Sequence, residues 1–170
     1  KPTFSYLPPA IDAVLPTSSG PTQGEQLITL VGSNFGIAAE VSLDGKPCPI
    51  AGLGQSHTAI ECMLPEGQGT NKVLLVNVSG QTASTIFHYK PPEISSIRPL
   101  NGPTAGGVPI VLDGANFGVG TDSTFYFAGK SVPPANILVW NHTHIVFSLV
   151  RPLCFLPVLR LFAYESFPNL

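Results

Sequence analysis

One glycine-framed phrase occurs twice in this chain of 170 residues: VGSNFG at 31–36 and DGANFG at 113–118. The flanking sequence repeats with it. FSYLPPAIDAVLPTSSGPT (4–22) aligns with FHYKPPEISSIRPLNGPT (87–104), VSLDGK (41–46) with FYFAGK (125–130), and HTAIECML (57–64) with HTHIVFSL (142–149). The period is 82 to 85 residues. A unit of that length suits a sandwich of about seven strands and is too long for a solenoid repeat.

The pattern inside the unit is all strand. QLITLVG (26–32) alternates in polarity around Leu27, Thr29 and Val31. EVSLDGKPCPI (40–50) reads as two strands turning at Asp44-Gly45, a strong hairpin signal. TAIECML (58–64) is a further strand, and NKVLLVNVSGQTASTIFHY (71–89) a hairpin turning near Ser79-Gly80. No stretch carries a helical period. In the repeated phrase, Gly32 and Gly36 are expected to supply backbone angles closed to other residues. Asn34 is expected to bond its own backbone two residues on, and Phe35 to enter the core. Gly114, Asn116, Phe117 and Gly118 take the same roles in the second copy.

Apolar residues make up 44% of the chain and charged ones 11%, so a core is available and disorder is disfavoured. With 17 Gly and 18 Pro, short strands joined by tight turns fit the composition. The net charge is −2, and eight scattered Lys and Arg offer no field for a phosphate backbone, so no nucleic-acid partner is expected. No secretory leader is visible at KPTFSYLPPAI, and no stretch reaches the ~18 apolar residues of a membrane span. The acidic residues form no motif with His or Ser around a nucleophile, so the chain reads as non-enzymatic. GQG (67–69) leads into a strand, unlike a phosphate loop, which opens a helix.

The ordered pieces Pro9, Ile11, Pro16, GPT (20–22), GSNFG (32–36), Cys48, Cys62, PEGQG (65–69) and FHY (87–89) resemble the IPT/TIG domain. The resemblance covers residues 1 to about 149 and occurs twice. It implies early-set immunoglobulin-like β-sandwiches used for binding, spacing or dimerisation, without a cofactor. The resulting organisation is a last strand of a preceding repeat (1–8), one domain (9–90), a partial second domain (91–149) and a divergent tail (150–170). The paired prolines of YKPPEI (89–94) suggest a semi-rigid junction.

Cys48 and Cys62 resemble the family's disulfide, flanking the loop AGLGQSHT, and are lost together in the second copy as Val132 and Phe147. The alternative is two buried free thiols. A disulfide would place the chain in an oxidising compartment. Asn77-Val-Ser79 and Asn141-His-Thr143 are glycosylation triplets. Asn77 is in phase with Val73 and Leu75; either that set or Leu74, Val76 and Val78 faces the core.

His142 and His144 would share a strand face, yet no further ligand lies nearby for a metal site. Trp140 and Tyr126 are the residues available to stack on a sugar, with Phe125 and Phe127 more in phase with a core. After Leu149 the repeat fails, in VRPLCFLPVLRLFAYESFPNL. That tail is an altered terminus, a pair of divergent strands or a partner-binding segment, and Cys154 in it has no evident partner.

The functional expectation is an extracellular or cell-surface binding, adhesion or spacer module, meeting another protein or, secondarily, a glycan. A glycan-binding accessory module of a secreted enzyme and an intracellular Rel-like dimerisation module are the alternatives.

Overall fold

A computed structural model describes residues 4–103, 105–120, 123–149 and, as backbone, 159–162. They group into two compact units, one ending at Tyr89 and the other built from Lys90 onward, with 67–69 grouped in the latter. Both are all-β.

The first unit has nine strands: β1 (Ala10–Leu15), β2 (Ser19–Gly20), β3 (Leu27–Ser33), β4 (Glu40–Leu43), β5 (Lys46–Pro47), β6 (Ile50–Gln55), β7 (Ala59–Met63), β8 (Lys72–Val78) and β9 (Gln81–Tyr89). One sheet runs β1-β3-β7-β6 and the other β2-β9-β8-β4-β5. Side chains alternate across a strand, so each sheet contributes one apolar face. Ile28 and Leu30, Ile60 and Cys62, Val41 and Leu43, Leu74 and Val76, and Phe87 and Tyr89 meet Phe35 in a single core. Asp44-Gly45 and Ser79-Gly80 both turn with positive φ at each residue, the turn that matches strand twist.

Strand β6 differs from the sequence reading, which left AGLGQSHT as a loop. Gly52 and Gly54, at φ 63° and 84°, break the alternation by which a strand is recognised. The strand is bulged: Ile50 pairs Cys62, but the next pairing is Gln55 with Ile60. Within this chain residues 4–9 form no strand, and Phe4 and Tyr6 are exposed.

Cys48 and Cys62 form a disulfide with Cα atoms 5.5 Å apart. Cys48 extends the β4–β5 hairpin through its N–H to the Val41 carbonyl (2.8 Å), while Cys62 lies on β7. The bond therefore ties one sheet to the other through the core. Tyr89 closes the same region. Its hydroxyl donates to the Pro65 carbonyl at 2.8 Å, and burial pushes its pKa up to about 12.

The second unit contains β10 (Glu93–Arg98), β11 (Pro109–Ala115), β12 (Thr124–Phe127), β13 (Lys130–Ser131), a 3-10 turn (Pro134–Asn136), β14 (Ile137–Trp140), β15 (His144–Ser148) and β16 (Leu159–Phe162). Its sheets are β10-β11-β15-β14 and β13-β12-β16. Phe125, Phe147, Leu112, Ile145 and Phe117 form its core, with the Phe125 and Phe147 rings 4.7 Å apart. In the tail, β16 pairs antiparallel with β12, as β8 pairs with β4 in the first unit. Cys154 lies outside the described residues.

The repeated phrase has one structural solution in both units. The Gly32 N–H donates to the Thr58 carbonyl (2.9 Å) and the Phe35 N–H to the His57 carbonyl (3.1 Å); Gly114 to Thr143 (2.9 Å) and Phe117 to His142 (3.0 Å) repeat it. Asn34, Gly36, Asn116 and Gly118 take left-handed backbone at φ 60°, 64°, 59° and 70°. Phe35 and Phe117 are buried.

Two details depart from the sequence reading. Gly32 and Gly114 do not need a positive φ. A Cβ at Gly32 would lie 2.0 Å from the Ala10 carbonyl oxygen and 2.6 Å from the Phe35 ring, and one at Gly114 2.0 Å from the Glu93 oxygen and 2.4 Å from Phe117. Each is glycine because the first strand and the Phe ring close on its α-carbon. The Asn34 amide donates to the Pro8 carbonyl (3.0 Å), pinning the chain entering β1 and not its own turn.

Candidate binding surface

The outward face of β1-β3-β7-β6 in the first unit is apolar where a solvated face would be polar. Leu27, Thr29 and Val31 point away from the core on β3, because Ile28 and Leu30 point into it. Register places Ala13 and Ala59 on either side of Val31, Leu15 beside Thr29, and Met63 beside Leu27. Leu15 and Leu27 are 49% and 40% exposed.

The β6 bulge extends this surface. Glu61, outward on β7, accepts a hydrogen bond from the Leu53 N–H. Its carboxylate occupies the space a side chain at Gly52 would need, 2.1 Å from a Cβ built there. Flanked by two left-handed glycines, Leu53 is carried outward and is 94% exposed. The carboxylate within the apolar face is thus engaged with backbone, and the leucine beside it is offered to solvent. Contiguous exposed apolar surface of this kind marks interaction sites.

The same positions in the second unit carry different chemistry. Ser96, Asp113 and His144 stand where Ala13, Val31 and Ala59 stand in the first, by identical pairing. The Ser96 hydroxyl donates to Asp113 Oδ2 (2.8 Å), Arg98 pairs with the same oxygen, and His144 Nε2 lies 3.2 Å from Oδ1. The Ser96 hydrogen bond, then the Arg98 guanidinium and His144, hold the Asp113 pKa below its ordinary value against the effect of burial. A group depressed in the folded state stabilises above its unfolded pKa and ceases to as pH falls through the folded one. The second unit of Asp113→Asn is therefore expected to lose less stability than wild type between pH 4 and pH 2. Denaturant midpoints across that range measure it.

The two sequons lie on other surfaces. Leu74 and Val76 are the buried set on β8, so Asn77 faces outward with Val73 and Leu75 on the five-stranded sheet. Its Oδ1 accepts from the Gly80 N–H at 3.0 Å. Asn141 is exposed in the β14–β15 turn, where Oδ1 accepts from the Thr143 and His144 N–H groups at 3.0 and 2.8 Å.

His142 sits in the β14–β15 turn while His144 opens β15, so the two do not share a strand face. Among the described residues no cluster of His, Cys, Asp or Glu is arranged to hold a metal ion. The Trp140 indole N–H donates to the Phe117 carbonyl (3.0 Å) and its ring stands edge-on to Phe125, 6.4 Å away. That ring is a packing element, with Gly120 directly against it. Phe125 is buried and Tyr126 is 37% exposed. No helix among the described residues is long and apolar enough to cross a membrane.

Two immunoglobulin-like sandwiches following one another, with a shared glycine phrase, define a class of tandem β-sandwich modules. The chain belongs to the IPT/TIG domain family, which matches residues 9–90 and 92–151. It is 31% identical to human Plexin-B3 over 135 residues, covering 74% of this chain and 7% of that protein. Mouse Fibrocystin-L is 31% identical over 153 residues, 84% of this chain and 4% of that protein. The chain thus spans a small fraction of the curated relatives it matches. Among solved structures, the surface glycan-binding protein PbSGBP-B from Prevotella bryantii shares the fold, with a TM-score of 0.54 at 14% identity over 88% of this chain and 38% of that one.

Proposed function

We propose that this chain is a non-catalytic, extracellular protein-binding module of a larger cell-surface or secreted protein, and that it binds through the outward face of β1-β3-β7-β6. The observation that carries this reading is Leu53, raised on its glycine bulge over Glu61 at the edge of a face that also presents Leu27, Val31 and Met63. Exposed aliphatic side chains on a rigid sheet are suited to a protein partner. The Cys48–Cys62 disulfide suits an oxidising compartment, and the plexin relatives suit a cell-surface parent. A glycan at Asn77 would leave this face clear, since Asn77 lies on the other sheet.

The test is a binding screen of the tetramerised chain against a panel of cell-surface ectodomains, with a glycan array in parallel. An ectodomain whose binding falls at least about tenfold with Leu53→Asp, and holds with Thr82→Arg on the other sheet, supports the reading. Binding confined to the glycan array, or indifferent to Leu53→Asp, overturns it.

A further inference from the structure

We propose that Asn101 is a site of spontaneous deamidation, passing through a cyclic succinimide to aspartate and isoaspartate. Asn101-Gly102 is the single Asn-Gly pair in the sequence. The reaction needs the backbone nitrogen of the next residue to reach the asparagine Cγ. A glycine there removes the steric barrier and widens the accessible backbone angles. Both residues are exposed, and nothing lies within 4 Å of a Cβ built at Gly102. Among the described residues neither makes a hydrogen bond.

The matching position in the first unit is held. There Ser19-Gly20 is strand β2, paired with His88 and Tyr89 of β9. Gly20 is buried, and a Cβ on it would lie 2.5 Å from Leu64. In the second unit the same two positions form no strand. The other asparagines are less suited. Asn34 and Asn116 precede Phe, Asn71 precedes Lys, Asn136 precedes Ile and Asn169 precedes Leu. Asn77 and Asn141 hold their side-chain oxygens on backbone N–H groups of the following turn.

In the reaction the Gly102 nitrogen attacks Cγ. A Cγ–N bond forms, the Cγ–Nδ2 bond breaks, and the Gly102 proton leaves with the amide as ammonia. Water then opens the ring at either carbonyl, so one water is consumed for each ammonia released. Each event adds one negative charge to a chain of formal charge −2. The isoaspartate product also inserts a methylene into the backbone three residues past the end of β10.

The intact folded chain is incubated at neutral pH and 37 °C, then digested and mapped by mass, with isoaspartate scored by enzymatic methylation. Asn101 is expected to gain one mass unit ahead of every other asparagine. The rate should match that of a synthetic peptide spanning 97–105, and Gly102→Ala should slow it severalfold. A folded rate far below the peptide's, or one unchanged by Gly102→Ala, overturns the proposal.

Discussion

Gly32→Val is expected to remove the stable fold of the first unit. The new Cβ would meet the carbonyl oxygen of Ala10 and the Phe35 ring, and the first of these is backbone within the β1–β3 ladder. A flexible side chain could swing aside; a paired strand cannot without losing the Ala10–Ser33 and Ile11–Gly32 pairings. The cost is about 3 kcal/mol or more, at the upper end of overpacking effects. Gly36→Ala is the informative contrast. At Gly36 the nearest atom is a Val78 methyl at 3.5 Å, so the penalty reduces to left-handed backbone, about 1 kcal/mol. Gly114→Val should transfer the large loss to the second unit, where Glu93 and Phe117 close on the glycine. Hydrogen-exchange protection of β3 and β11 in the three variants reads each unit separately. Retained protection of β3 in Gly32→Val would show that close approach is not why the residue is glycine.

The second large effect is confined to the unit with the disulfide. Replacing Cys48 and Cys62 together by Ala frees a loop whose ends are 14 residues apart, which costs about 3 kcal/mol on the chain-entropy account. For a domain of this size that lowers the midpoint of thermal unfolding by about 15 °C. Both cysteines are buried, so the alanines also leave small voids between the sheets. Val132 and Phe147 fill the corresponding sites of the second unit without a crosslink. Reducing agent should therefore destabilise the first unit and leave the second unchanged. Calorimetry of wild-type chain with and without reductant, beside the double variant, measures both; equal stability of the two would remove the disulfide's role.

The legible parts of this fold are those specified by short-range chemistry. Asp44-Gly45 and Ser79-Gly80 mark hairpins because two successive positive-φ residues are needed there. The alternation along β3 and β7 marks two core-facing strands. Strand β6 escaped because its two glycines erase alternation, and those same glycines raise Leu53 into the candidate binding face. A glycine in a sequence also does not disclose why it is glycine. Gly36 answers a backbone angle and Gly32 a neighbouring strand, and the distinction appears only when β1 is laid against β3.

The candidate binding face was half visible. Leu27, Thr29 and Val31 could be read as one side of a strand, but the flanking Ala13, Ala59 and Met63 are set by register across three strands. The Ser96–Asp113–His144 cluster has the same origin: residues from three strands with no local motif linking them. On β8 the pattern allowed either face to be buried. Packing of Leu74 and Val76 against Phe35 and Phe87 decided it, and with it the outward placement of Asn77.

The most direct test of the extracellular account is a count of free thiols in the unreduced, denatured chain after secretion from eukaryotic cells. The sequence contains three cysteines. One free thiol is the expected result, with Cys48 bonded to Cys62. Three free thiols would contradict the disulfide and the oxidising compartment together.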